Sequence, residues 1–415
     1  MRQAIWLQSV GCLAYLSLSN GILLLYLTAQ GMSSSAIMGV LALEPLVEAL
    51  SRLPLAFVAD RYGKRLVGMA GFALGTVGYT CIAASGIVPG GRWLLVGGVV
   101  LYGVGNSAFS AGWFAMLSPL VPQAVRGSFF GRLRLSWQLV GILFAGVSTL
   151  FLSRDTPPSV FVLITGLIVV GLIARMLLYA RLPELEKPRR DGPGFIATVG
   201  QVVRHGNIMS FCCYVFLLSL FTGNAPTLFG LIEKQSMALG DRLVVVLANV
   251  TMIGSLLGYY VGGKAVDRWG NKVVFLVCHV GYGVVLALFL GRDSFASVTR
   301  LLYMGTLHFG FGLALAASSI AVSSEMLALI PAANKSVSTS VCMVLMMAGG
   351  ALSGLLSGGA IQLGIFSSAW HLLGHTMTPY DGLLLLGAVM VTLAVVTLGL
   401  VPSVLAPSQW LPRGQ

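Results

Sequence analysis

The stretch from Leu41 to Arg65, LALEPLVEALSRLPLAFVADRYGKR, joins an apolar helical pattern to a short polar turn. Glu44, Glu48 and Arg52 interrupt the apolar pattern at intervals of four residues, so they fall on one face of a helix. The polar turn recurs in the second half of the chain, at 263–272, with the sequence GKAVDRWGNK. A charged face within an apolar helix and a turn that occurs twice together predict a duplicated architecture in apolar surroundings.

The composition places this chain in a lipid bilayer. Hydrophobic residues make up 57% of the 415 residues and charged residues only 9%, whereas a soluble domain carries about 25% charged residues. A net charge of +12 would favour a nucleic-acid partner in a soluble protein. Here the basic residues lie in short loops, where they set membrane topology, so no nucleic acid is expected. The six cysteines lie inside apolar segments and predict neither a disulfide framework nor a metal site.

The hydropathy pattern predicts twelve transmembrane helices, each near the ~20 residues that a bilayer requires. The aspartates of the repeated turn, Asp60 and Asp267, lie 207 positions apart (267 minus 60), and each follows the second span of its half. The predicted fold class is therefore an all-α membrane protein with two pseudo-symmetric six-helix bundles. The predicted spans are Ile5–Leu27, Ser34–Ala59, Leu66–Val88, Leu94–Leu117, Leu133–Leu152, Ser159–Ala180, Ile208–Phe229, Leu243–Ala265, Val273–Leu290, Leu301–Ser324, Ser338–Ile365 and Tyr380–Val401.

Three regions and one orientation follow from this pattern. Residues 1–180 are predicted to form the N-terminal bundle, 181–207 a cytoplasmic linker, and 208–415 the C-terminal bundle. Lysine and arginine concentrate in the linker and in other loops on one side of the predicted topology, which places both termini in the cytoplasm. Short loops without an extra domain favour the inner membrane of a bacterium.

The repeated turn resembles the loop motif of the major facilitator superfamily, Gly-x-x-x-Asp-Arg-x-Gly-Arg-Arg. The first copy departs from it at Ala56, where the family has glycine, and the second copy has Asn271 before its final lysine. The resemblance implies that two bundles rock about a central site and expose it to each side of the membrane in turn. It also implies that spans 2, 5, 8 and 11 form the seam between the bundles, and that spans 1, 4, 7 and 10 line the cavity. The residues assigned to the gating loops are Asp60, Arg61, Gly63, Lys64, Arg65, Arg126, Gly263, Asp267, Arg268, Gly270 and Lys272.

The residues of the turn also suggest a gating role on physical grounds. Gly63 and Gly270 permit a tight turn at the membrane face. Asp60 can face a helix N-terminus or an arginine such as Arg126, because either stabilises a negative charge. Contacts of this kind between the bundles would hold the cytoplasmic side shut. The alternative, that these charges only set topology, accounts for the basic residues but not for the repeated aspartate.

The charged face of span 2 is predicted to meet a polar cavity, because a charged side chain at the bilayer centre costs roughly 2.5–3.5 kcal/mol on insertion scales. Glu48 and Arg52 can pair with each other, which leaves Glu44 one turn further out. Burial favours the uncharged form of a carboxyl group, so its proton occupancy can respond to which side has access. We therefore expect Glu44 to be the proton-coupling site. A purely structural ion pair and direct binding of a cationic solute remain open.

Other polar and small residues complete the prediction. Glycines recur every four residues from Gly254 to Gly262 and from Gly350 to Gly358, and both ridges are expected on the seam. Arg175, near the cytoplasmic end of span 6, can snorkel to the interface. Each of spans 1, 4, 7 and 10 carries one polar residue at mid-depth, although a single asparagine more often bonds a neighbouring helix than a ligand. These candidate cavity-lining residues are Asn20, Asn106, Asn224 and His308.

These features predict a secondary active transporter that moves a small-molecule solute by alternating access, with protons as the coupling ion. The sequence contains no phosphate-binding glycine loop with its lysine and no nucleophile motif, so neither ATP drive nor enzymatic activity is expected. No cofactor is expected, and the predicted partners are the solute, protons and the lipid bilayer around a monomer. Three alternatives stay open: a facilitator or exchanger, an amphiphile flippase without proton coupling, and a membrane sensor that does not transport.

Overall fold

The computed structural model describes residues 2–19, 21–117, 126–185, 194–204, 206–329, 335–366, 370–372 and 374–399, which are mostly helical. The α-helices are α1 (Arg2–Ser19), α2 (Ile22–Ala29), α3 (Ser34–Tyr62), α4 (Lys64–Ala84), α5 (Arg92–Leu117), α6 (Arg126–Ser148), α7 (Pro158–Ala180), α8 (Phe195–Val203), α9 (Gly206–Thr222), α10 (Ala225–Leu231), α11 (Asp241–Trp269), α12 (Asn271–Phe289), α13 (Ser297–Leu329), α14 (Lys335–Gln362) and α15 (Pro379–Ala394). The shorter elements are π-helical turns at Ile232–Ser236 and Val395–Gly399, a 3-10 turn at Arg292–Ser294, and a hairpin of β1 (His371–Leu372) and β2 (His375–Thr376).

Twelve membrane spans follow from these helices. Nine helical segments in the described ranges are long and apolar enough to cross a bilayer, and α1 with α2 forms a tenth as a pair bent by 45°. The other two are α3 and α6, which carry charged residues and pack among the rest. α9, α10 and the first π-turn make one span, whereas α8 is a short helix of the linker. The predicted all-α membrane architecture is confirmed.

The spans pack as two bundles of six. In the first bundle, α4 packs on α5 and α7, α1 packs on α6 and α7, and α3 packs on α5. In the second bundle, α11 packs on α13, α9 packs on α14, and α12 packs on α13 and α15. The first bundle ends with α7 and the second begins with α9. The domain bounds 1–180, 181–207 and 208–415 stay a prediction.

Among the described helices, α3 with α14 and α6 with α11 make the largest contacts between the bundles, and α2 also touches α10. The two larger contacts involve spans 2 and 11 and spans 5 and 8, the members that the resemblance implied for the seam. Gly354 of α14 allows a close approach to α3, since a Cβ there would lie 2.8 Å from the Cβ of Ala42. In the other pair, the side-chain amide of Gln138 donates to the carbonyl of Met252 at 2.9 Å. The seam therefore combines close backbone packing with hydrogen bonds between bundles.

The glycine ridge of α11 does not lie on this seam, which corrects the expectation for span 8. A Cβ on Gly254 would collide with the carbonyl oxygen of Phe309, and one on Gly262 would lie 2.6 Å from the Cα of Ala317. Both neighbours belong to α13 of the same bundle. Small residues collect where two backbones come closest, and for α11 that neighbour is α13. α11 turns a different face, which includes Met252, toward α6.

The first span of each half is broken near its middle, whereas the sequence predicted continuous helices. α1 and α2 are separated at Gly21, whose φ of +84° lies in the left-handed region that glycine adopts readily. α9 and α10 are separated at Gly223 and Asn224, and Pro226 lies in the first turn of α10, where its missing amide hydrogen is tolerated. Breaks at corresponding positions of two halves are typical of the binding site of a transporter.

The two copies of the repeated turn adopt the same backbone. Gly63 has a φ of +110° and Gly270 a φ of +80°, and each glycine separates two consecutive helices. Another residue would be strained at either position. A Cβ on Gly263 would meet nothing within 4 Å, so the second copy has room for the alanine that the first copy carries at the matching position, Ala56.

Candidate functional site

A cavity of about 240 Å³ lies between the two bundles, at the level of the broken spans. Both breaks open onto it, through Gly21 on one side and Gly223 on the other. The described walls come from spans 1, 2, 7 and 11, so spans 4 and 10 do not contribute to them as the resemblance implied. The lining residues are Tyr15, Leu18, Gly21, Leu24, Met38, Leu41, Ala42, Glu44, Pro45, Gly223, Asn224, Pro226, Thr227, Gly350 and Gly354.

Glu44 is the acidic group of this cavity. It is 8% exposed, and its Oε1 has no hydrogen-bond partner within the described part of the chain. A buried polar atom without a partner costs free energy unless water or a ligand satisfies it. Leu41 and Pro45 lie on the same wall and offer no donor. The geometry therefore leaves one carboxyl oxygen buried without a partner beside the cavity, where a proton would remove the cost of an unpaired acceptor.

One helical turn away, Glu48 and Arg52 form a buried ion pair. Arg52 Nη1 donates to Glu48 Oε1 at 2.7 Å, and the two side chains are 9% and 4% exposed. From α5, Ser110 Oγ donates to the same oxygen at 3.2 Å and Asn106 Nδ2 donates to Oε2 at 3.4 Å. Arg52 also contacts the sulfur of Met347 on α14 at 3.4 Å. The pair is thus held by span 4 and reaches the opposite bundle.

Asn224 lines the cavity, but its side chain is bound by α14. Its Oδ1 accepts from Ser353 Oγ at 2.9 Å, and its Nδ2 donates to Ser357 Oγ. The backbone amide of Asn224 also donates to Ser353 Oγ, at 3.2 Å. These bonds fix the start of α10 beside the cavity, so Asn224 shapes the wall. The matching candidate in the first half, Asn20, lies outside the described residues.

His308 lies inside the second bundle and not among the cavity-lining residues. Its Nε2 lies 2.6 Å from Oε1 of Glu233, and its Nδ1 lies 2.8 Å from the hydroxyl of Thr251. The sequence reasoning missed Glu233, because it stands beside Lys234 at the end of span 7, where charge is typical of a loop. The duplication gave one indication of where to look. Thr251 lies 207 positions after Glu44 (251 minus 44), so it marks in the second half the level that Glu44 occupies in the first.

Comparison with known proteins now decides the family. The sequence profile described as Major Facilitator Superfamily matches residues 6–353. The chain belongs to the Major Facilitator Superfamily. It is a multi-pass membrane transporter and not an enzyme.

Solved structures of other transporters share the fold of this superfamily member. A POT family transporter in complex with 5-aminolevulinic acid superimposes with a TM-score of 0.77 at 12% identity, over 97% of this chain and 96% of that chain. The nucleoside transporter NupG superimposes with a TM-score of 0.69 at 14% identity, over 96% of this chain and 98% of that chain. A D-xylose-proton symporter superimposes with a TM-score of 0.67 at 12% identity, over 94% of each chain. At these identities the similarity concerns the fold alone. No match is found among curated protein sequences.

In this superfamily member, glutamates from other segments bind the starts of the helices that follow the repeated turns. The backbone amides of Lys64 and Arg65, at the start of α4, donate to the carboxylate of Glu184 at 2.7 and 3.3 Å. In the second copy, Asn271 Nδ2 donates to Glu325 Oε2 at 2.9 Å. A carboxylate is stabilised at such a helix N-terminus by the unpaired amides. Glu184 is therefore an acid at the start of α4, and the expectation that Asp60 faces a helix N-terminus or Arg126 stays a prediction.

The gating role of the turn residues stays a prediction. Asp60 is exposed at the end of α3, and the side chain of Arg126 lies outside the described residues. Arg61 packs over the ring of Phe57 at 4.5 Å, and Arg65 donates to a carbonyl at the end of α7. In the second copy, Asp267 and Arg268 are exposed and Lys272 is half-buried.

Polar contacts join the bundles where the segment 149–157 of the first bundle meets the segment 232–240 of the second. We call this end of the transporter the closed face. Lys234 Nζ lies 3.0 Å from Oδ1 of Asp155 in the first bundle and 2.7 Å from Oδ1 of Asp241 in its own bundle. The other carboxyl oxygen of Asp241 accepts from a backbone amide of the first loop at 2.8 Å. Sequence reasoning missed this cluster, because its members come from three separate segments.

Proposed function

We propose that this transporter is a proton-coupled secondary active transporter, with Glu44 as the exchangeable proton site and Glu48 and Arg52 as a charge pair that responds to it. The observation that carries the proposal is the unpaired Oε1 of Glu44, buried on the wall of a cavity between the bundles. When the bundles alternate between two open states, this oxygen meets each aqueous side in turn. A carboxyl group so placed takes up a proton from one side and releases it to the other.

The position of Glu44 on α3 links its protonation to the movement of the bundles. The charged face of α3 carries two carboxyl groups and one guanidinium, so it is balanced only when Glu44 holds a proton. An unbalanced charge is costly to bury, whereas a balanced face can slide against α14 during the transition. Arg52 already contacts Met347 of α14 at 3.4 Å, so a displacement of α14 changes the surroundings of the Glu48–Arg52 pair.

The cavity walls limit the chemistry of the solute. The volume of the cavity, about 240 Å³, is below the roughly 300–1,000 Å³ that is typical of pockets for drug-sized ligands. Tyr15, Met38 and Leu41 make the walls mostly apolar, and Thr227 adds a hydroxyl. We infer that the solute is a small organic molecule with an apolar part and one group that donates a hydrogen bond toward Glu44.

The placement in the cell forms part of the same proposal. The excess of lysine and arginine in the linker and in the repeated turns supports an inner-membrane protein with both termini in the cytoplasm. The closed face then points away from the cytoplasm. A functional monomer surrounded by lipid belongs to the same proposal.

Reconstitution into vesicles with an imposed pH gradient tests this function. A pH-sensitive dye in the lumen is monitored while a panel of small organic solutes is added, and a transported solute changes the rate of proton movement. Glu44→Gln is expected to abolish accumulation driven by the pH gradient, because glutamine cannot release a proton. It should retain exchange of labelled for unlabelled solute, since the neutral side chain resembles the protonated acid. Asp293→Asn, which neutralises a partly exposed carboxylate outside the cavity, is the matched control.

One outcome would favour an exchanger or facilitator that binds a cationic solute through Glu44. The motivating observation is the same unpaired oxygen, which can accept from an ammonium group as well as bind a proton. In that case Glu44→Gln weakens solute binding and lowers exchange, and a pH gradient drives no accumulation in the wild type. Solute flux indifferent to both the gradient and the substitution would remove Glu44 from the mechanism.

A further inference from the structure

The Glu233–His308 pair is a second buried ionisable site, and the proposed function does not use it. Glu233 is 1% exposed and His308 is 4% exposed. The rings of Phe229 and Phe289 cover the imidazole at centroid distances of 5.3 and 6.2 Å. Among the described residues, the groups that face His308 are Glu233 from the π-turn, Thr251 from α11, and these two rings from α10 and α12. Within the described part of the chain, no other charged side chain is in contact with the pair.

Two protonation levels are compatible with these contacts. With one proton, on Nε2 of His308, the imidazole is neutral and Glu233 is a negative charge in apolar surroundings. With a second proton, on Nδ1, imidazolium and carboxylate balance each other, and Nδ1 donates to the hydroxyl of Thr251 at 2.8 Å. A buried charge without a counter-charge is costly, so the second proton stabilises the closely paired arrangement.

The π-turn that carries Glu233 also carries one of the contacts of the closed face, beside those that Asp241 and Arg242 make from the start of α11. Lys234, the next residue, donates to Asp155 Oδ1 at 3.0 Å and to the carbonyl of Arg154 at 3.1 Å, both in the first bundle. The turn Ile232–Ser236 is only five residues long. π-helical turns are rare and are found frequently at functional sites. Glu233 and Lys234 are adjacent in this turn, so a shift of its backbone moves both residues.

We propose that the Glu233–His308 pair is a proton-binding site whose occupancy sets the closure of the closed face. The proton-loaded pair holds Glu233 inside the second bundle and keeps Lys234 over Asp155. Loss of the proton leaves a buried negative charge, which is relieved when the π-turn moves and the face opens. The inference rests on the proposed proton coupling for its ion, but it assigns that ion to a site outside the cavity.

Asp155 does not account for a response near neutral pH. Donation from Lys234 holds the pKa of the Asp155 carboxyl below its ordinary value of 3.8. A lowered pKa means that the link to Lys234 is present at higher pH and is lost only as the pH falls through that lowered value. This dependence has the opposite sign to the proposed one, in which raising the pH opens the face.

Distance measurements across the closed face test the inference on the full-length transporter. Spin labels at Val88→Cys and Ser294→Cys lie at exposed positions of two loops on this face, one in each bundle. Cys81 and Cys213, which are partly exposed or exposed, are first replaced by alanine. Distances are recorded by pulsed electron resonance in lipid nanodiscs from pH 5 to pH 9. We expect the long-distance population to grow as the pH rises, with an open-to-closed ratio that changes by up to about tenfold per pH unit for one linked proton.

Substitutions then assign the response to the pair. Glu233→Gln and His308→Gln each remove one ionisable group, and both should reduce the response to less than about twofold per pH unit, since neither variant can form the imidazolium–carboxylate pair. In Glu44→Gln the long-distance population should still grow as the pH rises, because the Glu233–His308 pair and Lys234 are unchanged, and this separates the pair from the cavity. A flat wild-type response, an unchanged response in both pair variants, or loss of the response in Glu44→Gln would each overturn the inference. Using two pair variants keeps the test valid when one of them does not fold.

Discussion

Replacement of Arg52 by methionine tests whether the Glu48–Arg52 pair is an energetic unit. The pair is joined at 2.7 Å and is almost fully buried, so methionine leaves the carboxylate without its counter-charge inside the membrane. Removal of one partner of a buried pair costs roughly 3–5 kcal/mol. Ser110 and Asn106 still donate to Glu48, at 3.2 and 3.4 Å, so we expect a loss of unfolding free energy near the lower limit, about 3 kcal/mol.

The double variant Arg52→Met, Glu48→Gln provides the decisive comparison. It removes both charges, and uncharged replacements of a buried pair are often close to neutral, so about 2 kcal/mol of the loss should be regained. Glu48→Gln alone should cost less than Arg52→Met, because the glutamine oxygen still accepts from the guanidinium. The free energy of unfolding is measured for all four proteins in detergent micelles. A double variant as unstable as the sum of the single losses would refute the coupling, as would an Arg52→Met loss below about 1 kcal/mol.

Three further predictions concern packing, a helix terminus and another buried pair. Gly312→Ala should strongly reduce the yield of folded protein, because its Cβ would collide with a backbone carbonyl of α11, whereas Gly305→Ala on the same helix has open space and should not. Glu184→Gln should lower the unfolding free energy by about 0.5–1 kcal/mol in thermal unfolding, since the start of α4 loses its negative charge. Asp381→Asn should cost about 3 kcal/mol by the same measurement, because the buried arginine of the 3-10 turn loses the negative charge that it contacts at 2.5 Å. Asp293→Asn, which neutralises a more exposed acid beside that arginine, should change stability by less than about 1 kcal/mol.

The duplication and the ion pair of α3 were predictable because both depend on spacing along the chain. Asp60 and Asp267 occupy matching turns, which is enough to infer two similar units. Glu48 and Arg52 lie four residues apart, so the geometry of one helix brings them together whatever surrounds it. The break at Gly21 could not be read in the same way, because an isolated glycine is also tolerated inside a helix.

Contacts between distant helices were not predictable, because they depend on how each helix is rotated about its axis. Arg175 was expected to snorkel, yet it is 4% exposed and lies over the rings of Phe72 and Phe109 at 4.9 and 4.2 Å. The cation–π attraction of these aromatic rings offsets part of the free-energy cost of burying a guanidinium that has no carboxylate partner. His308 and Glu233 are 75 positions apart, and nothing local to either residue indicates the other.

Glu44 and Glu233 lie on different spans of their halves, and this difference determines how movement of the bundles can affect each acid. Glu44 lies on a wall shared with the opposite bundle, so movement of the bundles changes its access directly. The position 207 residues later is Thr251, and the acid at that level is Glu233 from the neighbouring span, which reaches it through His308. All three groups belong to one bundle, so rigid movement leaves their contacts unchanged. A proton on this inner site can therefore influence the cycle only through the segment that carries it, and that segment continues into Lys234 at the closed face. Loss of Glu44 should uncouple protons from solute while the face still responds to pH, and loss of Glu233 should do the reverse.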